Sequence, residues 1–287
     1  MGTSAKLLKN RIKSVESTMH ITKAMELVAS SKLRKATERC LRSRAYFVSA
    51  KEAFSELAAT NREAASAFLT RRAELKKVCY VVIGGDRGLA GGYNNNLFKE
   101  FTAAVEVSGT GHIVLPIGKK TVDYVKKKGY EVLTENYRVV EALSLGDCAE
   151  IGRLLCREYS EGGFDELRLV YTHFRSMLSQ SPDSIPLLPI AVSEEEAANV
   201  PKRVVLYEPS AEAVLSAVVP EYVGGMIYSA ICDSFASELA ARRNAMDNAS
   251  KNAGDMIEQL SLQYNHARQG AITQEITEII SGAEAGA

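Results

Sequence analysis

The chain has 287 residues, 46% of them apolar, enough for one large or two modest domains with a real core. Its 35 Lys and Arg balance 35 Asp and Glu, which speaks against a general nucleic-acid binder. The five cysteines, Cys40, Cys79, Cys148, Cys156 and Cys232, form no CxxC pair, so neither a disulfide framework nor a zinc site is signalled and a reducing compartment fits.

The balance hides an asymmetry. Residues 1–58 carry twelve Lys or Arg against five Glu, a net of +7, and residues 209–287 carry four against ten acids, a net of −6. No proline precedes Pro116 and none follows Pro220, so long helices are possible at both ends. The opening MGTSAKLLKNRIKS lacks the apolar stretch of a signal peptide. It meets the myristoylation pattern poorly, because position 6 is lysine. No unbroken run of 18 apolar residues occurs, so no membrane-spanning helix is expected.

Stepping alternately by three and four from Ile12 meets Val15, Met19, Thr22, Glu26, Ala29, Leu33, Ala36, Cys40, Ser43, Phe47, Ala50, Phe54 and Leu57. Only Thr22, Glu26 and Ser43 are polar. A 3.5-residue period held over about six heptads is a coiled-coil signal. The same stepping from Phe235 gives a weaker seam: Leu239, Arg242, Met246, Ala249, Ala253, Met256, Leu260, Gln263, Ala267, Gly270, Gln274 and Thr277. A basic helix beside an acidic one gains favourable flanking charge. The simplest arrangement is an antiparallel coiled-coil shaft of residues 1–58 and 209–287, with a globular domain of residues 75–208 between them.

That middle alternates strand and helix. VCYVVI (78–83) reads as a strand, followed by the glycine-rich stretch GGDRGLAGGYNNN (84–96) and a helix from about 95 to 107. HIVLPIG (112–118) is a second strand and KKTVDYVKKKG a helix. YEVLTENY (130–137) reads as a third strand, 146–160 as a helix and ELRLVYTHF (166–174) as a fourth strand. SQSPDSIPLLPI is a loop running into a short strand. The expected fold is α/β, a Rossmann-like domain with a mostly parallel sheet.

Strand, glycine turn, helix is how phosphate loops are built, but neither fingerprint is present. The nearest mimic of a Walker A loop, Gly118-Lys119-Lys120-Thr121, has one lysine too many and Ile113 where the first glycine belongs. Gly85, Gly88 and Gly91 are spaced GxxGxxG, not GxGxxG, and the second strand ends without a ribose-binding acid. A tight structural turn fits better. His20, His112, His173 and His266 fall in separate elements with no metal-ligand spacing. His173 reads as a satisfied sheet-edge histidine, and Glu194, Glu195 and Glu196 as a solvated loop. No catalytic, cofactor or metal site is expected. Met25, Leu27 and Val28 lie off the seam, and so do Ile272, Ile276, Ile279 and Ile280. Such apolar stripes suit a partner surface.

RIKSVESTMHITKAMELVASSKLRKA (11–36), DRGLAGGYNNN (86–96), MDNASKNA (246–253) and QYNHARQGAITQEITEIISGAEA (263–285) together resemble the gamma subunit of F-type ATP synthases over nearly the whole chain. The resemblance implies a rotary central stalk, non-catalytic by itself. It would couple ion flow through a membrane rotor ring to ATP synthesis or hydrolysis on the beta subunits. It implies three alpha and three beta subunits, an epsilon subunit and the c-ring as partners, no cofactor and no direct nucleotide binding. The implied place is peripheral, on the cytoplasmic face of a bacterial plasma membrane. Position by position it implies contacts with the surrounding ring at Lys23, Met25, Arg242, Arg268, Gln269, Thr273 and Glu275. Ile272, Ile276, Ile279 and Ile280 would form an apolar bearing tip, and Tyr207 and Glu208 would meet the c-ring and epsilon. His20 and Gly84 depart from the residues common in the family at those places. The cysteine insertion of chloroplast members is absent. Two rivals stay open, a nucleotide-dependent enzyme with helical arms and a static coiled-coil scaffold.

Overall fold

The structure is a computed structural model that describes residues 2–60, 68–70, 72, 74–137, 139–190, 208 and 210–285. In chain order the elements are α1 (Gly2–Thr60), β1 (Lys77–Ile83), α2 (Tyr93–Ser108), β2 (Gly111–Ile117) and α3 (Lys119–Lys128). A short 3-10 turn follows at Val140–Ala142, then α4 (Leu145–Ser160), β3 (Glu166–Phe174), β4 (Gln180–Leu188) and α5 (Ala211–Ala285). The chain divides into two compact units. The first holds Met1–Ser30 with Arg242–Ala287, and the second holds Ser31–Ala241.

In the second unit four strands lie in the order β2-β1-β3-β4. β1 pairs parallel with β2 and β3, and β4 pairs antiparallel with β3. The sheet is therefore mostly parallel, as expected, and both its faces are covered, as parallel sheets require. Tyr80, Val82, Val114 and Val170 on one face pack with Leu97 and Phe101 of α2 and Val125 of α3. Val81, Leu115, Leu167 and Leu169 on the other face pack with Ile151 and Leu155 of α4 and with Leu215, Val219, Val223 and Ile227 of α5. Successive strand residues face opposite ways, so nearly every residue of β1 is buried.

Two predicted elements change. YEVLTENY is not a strand: its only pairing is a single parallel bridge between Val132 and Val114. After Leu133 the chain leaves β2 and turns toward the glycine loop, where Asp86 binds the backbone at Val140. The stretch read as a loop running into a short strand is strand from Gln180 to Leu188, the nine residues of β4. Its Pro182 and Pro186 obscure it in the sequence, but β4 is an edge strand, where a missing N–H costs no ladder bond. α4 begins at Leu145 because Ser144 and Asp147 form a reciprocal capping box. The Ser144 hydroxyl and backbone N–H also hold the Asp147 carboxyl below the ordinary carboxylate range.

α5 begins nine residues before Pro220 and runs through it. One 18-residue window of this helix reaches a mean hydropathy of 1.4, enough by composition to cross a membrane. The expectation of none rested on unbroken apolar runs, which the interspersed Gly and Ser hide. Leu215, Val219, Val223 and Ile227 of the helix are fully buried in the second unit. Here α1 and α5 run antiparallel: Phe54 stacks on Tyr222, Phe47 lies against Gly225, and Cys40 bonds Asp233.

The α1 seam is observed position by position. Thr22, Glu26, Ala29, Leu33, Ala36, Cys40, Ser43 and Phe47 are all buried. In the first unit the Thr22 and Ser250 hydroxyls bond at 2.7 Å across the two helices. On α5 the seam differs in phase from the sequence reading. The covered positions are Met246, Ser250, Ala253, Ile257, Leu260, Tyr264, Ala267, Ala271 and Gln274, while Met256, Gln263 and Gly270 face solvent. Shared positions such as Ala253 and Leu260 were found, and every alternate one lies one residue further on.

Candidate functional site

The glycine loop is the first candidate, and its backbone is held from within. Asp86 fills the role an anion would take there. Its carboxylate accepts from Val140 N at 3.0 and 3.1 Å, from Lys119 N at 3.4 Å and from Glu141 N at 3.5 Å. Lys119 opens α3, so the protein's own carboxylate sits at that helix N-terminus, where negative charge is favoured. Gly85 N donates to Asn94 Oδ1 at 2.9 Å. Gly118 has φ +95°, and a Cβ there would collide with the Gly84 carbonyl. These glycines serve a close crossing of two backbones. Asp86→Ala is expected to lower unfolding stability by about 1–3 kcal/mol, since the charge-assisted bonds to the part-buried Val140 N–H and the exposed Lys119 and Glu141 N–H groups are lost together. Urea unfolding of the purified chain measures it, and Asp86→Asn should lose less.

The second candidate is the crevice outside the carboxyl ends of the strands. Open α/β sheets bind ligands where neighbouring strands send the chain in opposite directions. In the order β2-β1-β3-β4 that place lies between β1 and β3. Here α5 occupies it. Tyr93 donates its hydroxyl to Ser234 O at 3.1 Å, Thr172 N donates to Ser234 Oγ at 3.2 Å, and Ser237 Oγ donates to Thr172 O at 3.2 Å. Glu238, 3% exposed, lies against Gly85, where an added Cβ would stand 2.9 Å from its carboxyl carbon. A cavity of about 370 Å³ lies at the opposite edge, between the end of α2 and the starts of β1 and β3, beside Val78, Val107, Glu166 and Arg168.

His173 stands at the carboxyl end of β3 with Nδ1 2.6 Å from Asp233 Oδ2. It is satisfied, as the sequence suggested, but β3 is an interior strand and not an edge. Among the described residues no group of three or more His, Cys, Asp or Glu is arranged to hold a metal. All five cysteines are buried and free. Glu194, Glu195, Glu196 and Tyr207 lie outside the described residues, and Glu208 is exposed.

The remaining named positions belong to the first unit. Lys23 is exposed and ion-paired with Glu26 at 2.7 Å, which raises its pKa through that hydrogen bond and charge. Met25 is half-buried, while Leu27 and Val28 are exposed, joined by Ile21, which the sequence reading passed over. Arg242 is half-buried. Arg268, Gln269, Ile272, Thr273, Glu275, Ile276, Ile279 and Ile280 are all exposed. At about 100° per residue these eight fall within an arc of about 160° on α5. The covered positions Leu260, Tyr264, Ala267, Ala271 and Gln274 lie on the opposite side. A band of four isoleucines beside Arg268 and Glu275, turned away from the seam, is a surface suited to a partner.

The profile of the ATP synthase family matches residues 4–285. The ATP synthase gamma chain of Ruminococcus albus is 46% identical over 277 residues, covering 96% of each chain. That of Alkaliphilus metalliredigens is 43% identical over 289 residues, covering 99% of each. Among solved structures, a chain of the Euglena gracilis mitochondrial ATP synthase, in an assembly of OSCP, F1 and c-ring, has a TM-score of 0.66 at 16% identity and covers 99% of this chain and 95% of its own. A chain of the Tetrahymena thermophila mitochondrial ATP synthase central stalk and c-ring has a TM-score of 0.59 at 24% identity, covering 80% of this chain and 99% of its own. The profile match over residues 4–285 and bacterial relatives at 43% and 46% identity over nearly the whole chain show that the chain belongs to the ATP synthase gamma-chain family.

Proposed function

We propose that this chain is the rotary shaft of an ATP synthase, carrying torque between a membrane rotor ring and catalytic sites on surrounding beta subunits, with no catalytic group of its own. The observation that carries the reading is the exposed face of Arg268, Gln269, Ile272, Thr273, Glu275, Ile276, Ile279 and Ile280 on a helix continuous from Ala211 to Ala285. A shaft needs stiffness and an asymmetric surface that favours a different ring conformation at each angle. Paired helices give the first, and one decorated face gives the second. The occupied α/β crevice supports a non-catalytic role, because the place where such folds bind ligands is filled by Ser234, Ser237 and Glu238.

In this reading Lys23, Met25 and Arg242 contact the ring of three alpha and three beta subunits part-way along the shaft. Residues 268–280 turn in its apolar bearing, and Tyr207 and Glu208 belong to the foot that meets epsilon and the c-ring. The complex sits on the cytoplasmic face of a bacterial membrane. Co-expression tests it. This chain with partner alpha and beta subunits should give a stable complex whose MgATPase activity needs all three. A folded chain that stays alone, or alpha and beta subunits equally active without it, overturns the reading.

A further inference from the structure

In the second unit, the last three residues of β3 are each tied by hydrogen bonds to a long helix. Thr172 binds through both backbone groups, its N–H to Ser234 Oγ and its carbonyl to Ser237 Oγ, each at 3.2 Å. The His173 ring meets Asp233 at 2.6 Å. The Phe174 carbonyl accepts from Arg44 of α1 at 2.6 Å, and the same Arg44 nitrogen reaches Asp233 at 2.8 Å. Cys40 of α1 donates to Asp233 at 2.6 Å. Asp233 is 4% exposed and so gathers α1, α5 and the strand end on one carboxylate.

Toward the start of α5 the contacts are mostly apolar, with one exposed ion pair, Arg153 to Glu221 at 2.8 Å. Leu215, Val219, Val223 and Ile227 pack against the sheet and α4. Apolar packing is non-directional. It resists pulling a helix away, and it resists a roll of the helix about its own axis through shape alone, as where Gly224 meets Gly152. Hydrogen bonds are directional and weaken steeply off line, and a buried carboxylate that loses a donor is costly. Bonds from one helix turn, 233–237, to one strand end therefore add a directional restraint on the angle of α5 to the steric one of packing.

We infer that the cluster of Asp233, Ser234, Ser237, His173 and Arg44 is the torsional joint of the molecule, with Asp233 the positioning residue that locks the shaft helix to the globular domain. The inference rests on the rotor reading, because only a turning shaft loads this joint. Asp233→Asn keeps the volume and removes the charge that holds Arg44 and His173.

The experiment uses the complex with alpha and beta subunits fixed to a surface, and a bead attached through Val107→Cys, whose position is 88% exposed. The angular variance of the bead in the pauses between steps reports torsional stiffness. Asp233→Asn should at least double that variance while unloaded ATP hydrolysis stays within twofold. Ile151→Val, in the α4 core, should lower thermal stability and leave the variance unchanged. Should Asp233→Asn not assemble, the milder pair His173→Gln and Ser237→Ala is read in the same way. Variance equal to the parent, or an equal rise in Ile151→Val, overturns the joint. A parent bead that never rotates overturns the rotor reading, and the joint with it.

Discussion

Gly152→Val should leave little folded protein. α4 and α5 cross with backbones in contact. A Cβ on Gly152 would collide with the Pro220 carbonyl and stand 2.7 Å from Gly224 N. From the other side, a Cβ on Gly224 would stand 2.6 Å from the Cys148 carbonyl and 2.8 Å from Ala149 Cα. Every obstacle is backbone, so no side chain can swing aside. Overpacking of a core costs about 1–3 kcal/mol where side chains can shift. Here whole helices must move, so alanine should cost at the top of that range and valine about 4 kcal/mol or more. Against a total stability of about 5–15 kcal/mol, that removes a large share. Urea unfolding followed by circular dichroism measures both. Gly254→Ala is the control: nothing lies within 4 Å of its added Cβ, and it should gain about 0.5–1 kcal/mol from helix propensity. An unchanged midpoint for Gly152→Val would show that the helices do not cross here.

The second large effect concerns turnover. Glu275→Cys, joined to a cysteine on the facing subunit through a cleavable reagent, should cut ATP hydrolysis by the complex at least tenfold. Reductant should restore it. A static scaffold would hydrolyse normally while locked. The native thiols make the experiment clean. All five are buried, and burial pushes Cys40, Cys148 and Cys156 up to about 12, with Cys79 and Cys232 also raised. The thiolate is the reactive form, so at neutral pH a thiol of pKa about 12 offers on the order of one part in 10⁵ as nucleophile. The introduced cysteine should take the label alone, and the treated parent should keep its activity.

The α1 seam was legible because every position of one heptad phase from Ile12 to Leu57 is apolar except Thr22, Glu26 and Ser43. The α5 seam was not, because Met256 and Ile257 are equally apolar neighbours, and Ala, Gly and Gln occupy both phases. Only the facing helix chooses between them, as when Ser250 meets Thr22. β4 was hidden by its prolines, whose cost depends on lying at an edge, a fact of topology. The isoleucine face could be read early, since apolar residues off the seam need another partner. The joint at Asp233 could not. His173 and Asp233 are separated by 60 positions, and nothing local in either neighbourhood marks a polar pair.

The crevice filled by α5 has a kinetic and thermodynamic meaning as well. Ser234 and Glu238 are tethered to the domain they plug, so their effective concentration there is set by the chain and not by the solution. For short tethers such concentrations reach the order of millimolar, and the apolar contacts of the same helix add to its hold. A diffusing ligand must compete with an occupant that never leaves the molecule. The fold thus keeps the outline of a binding site while acting as its own permanent ligand.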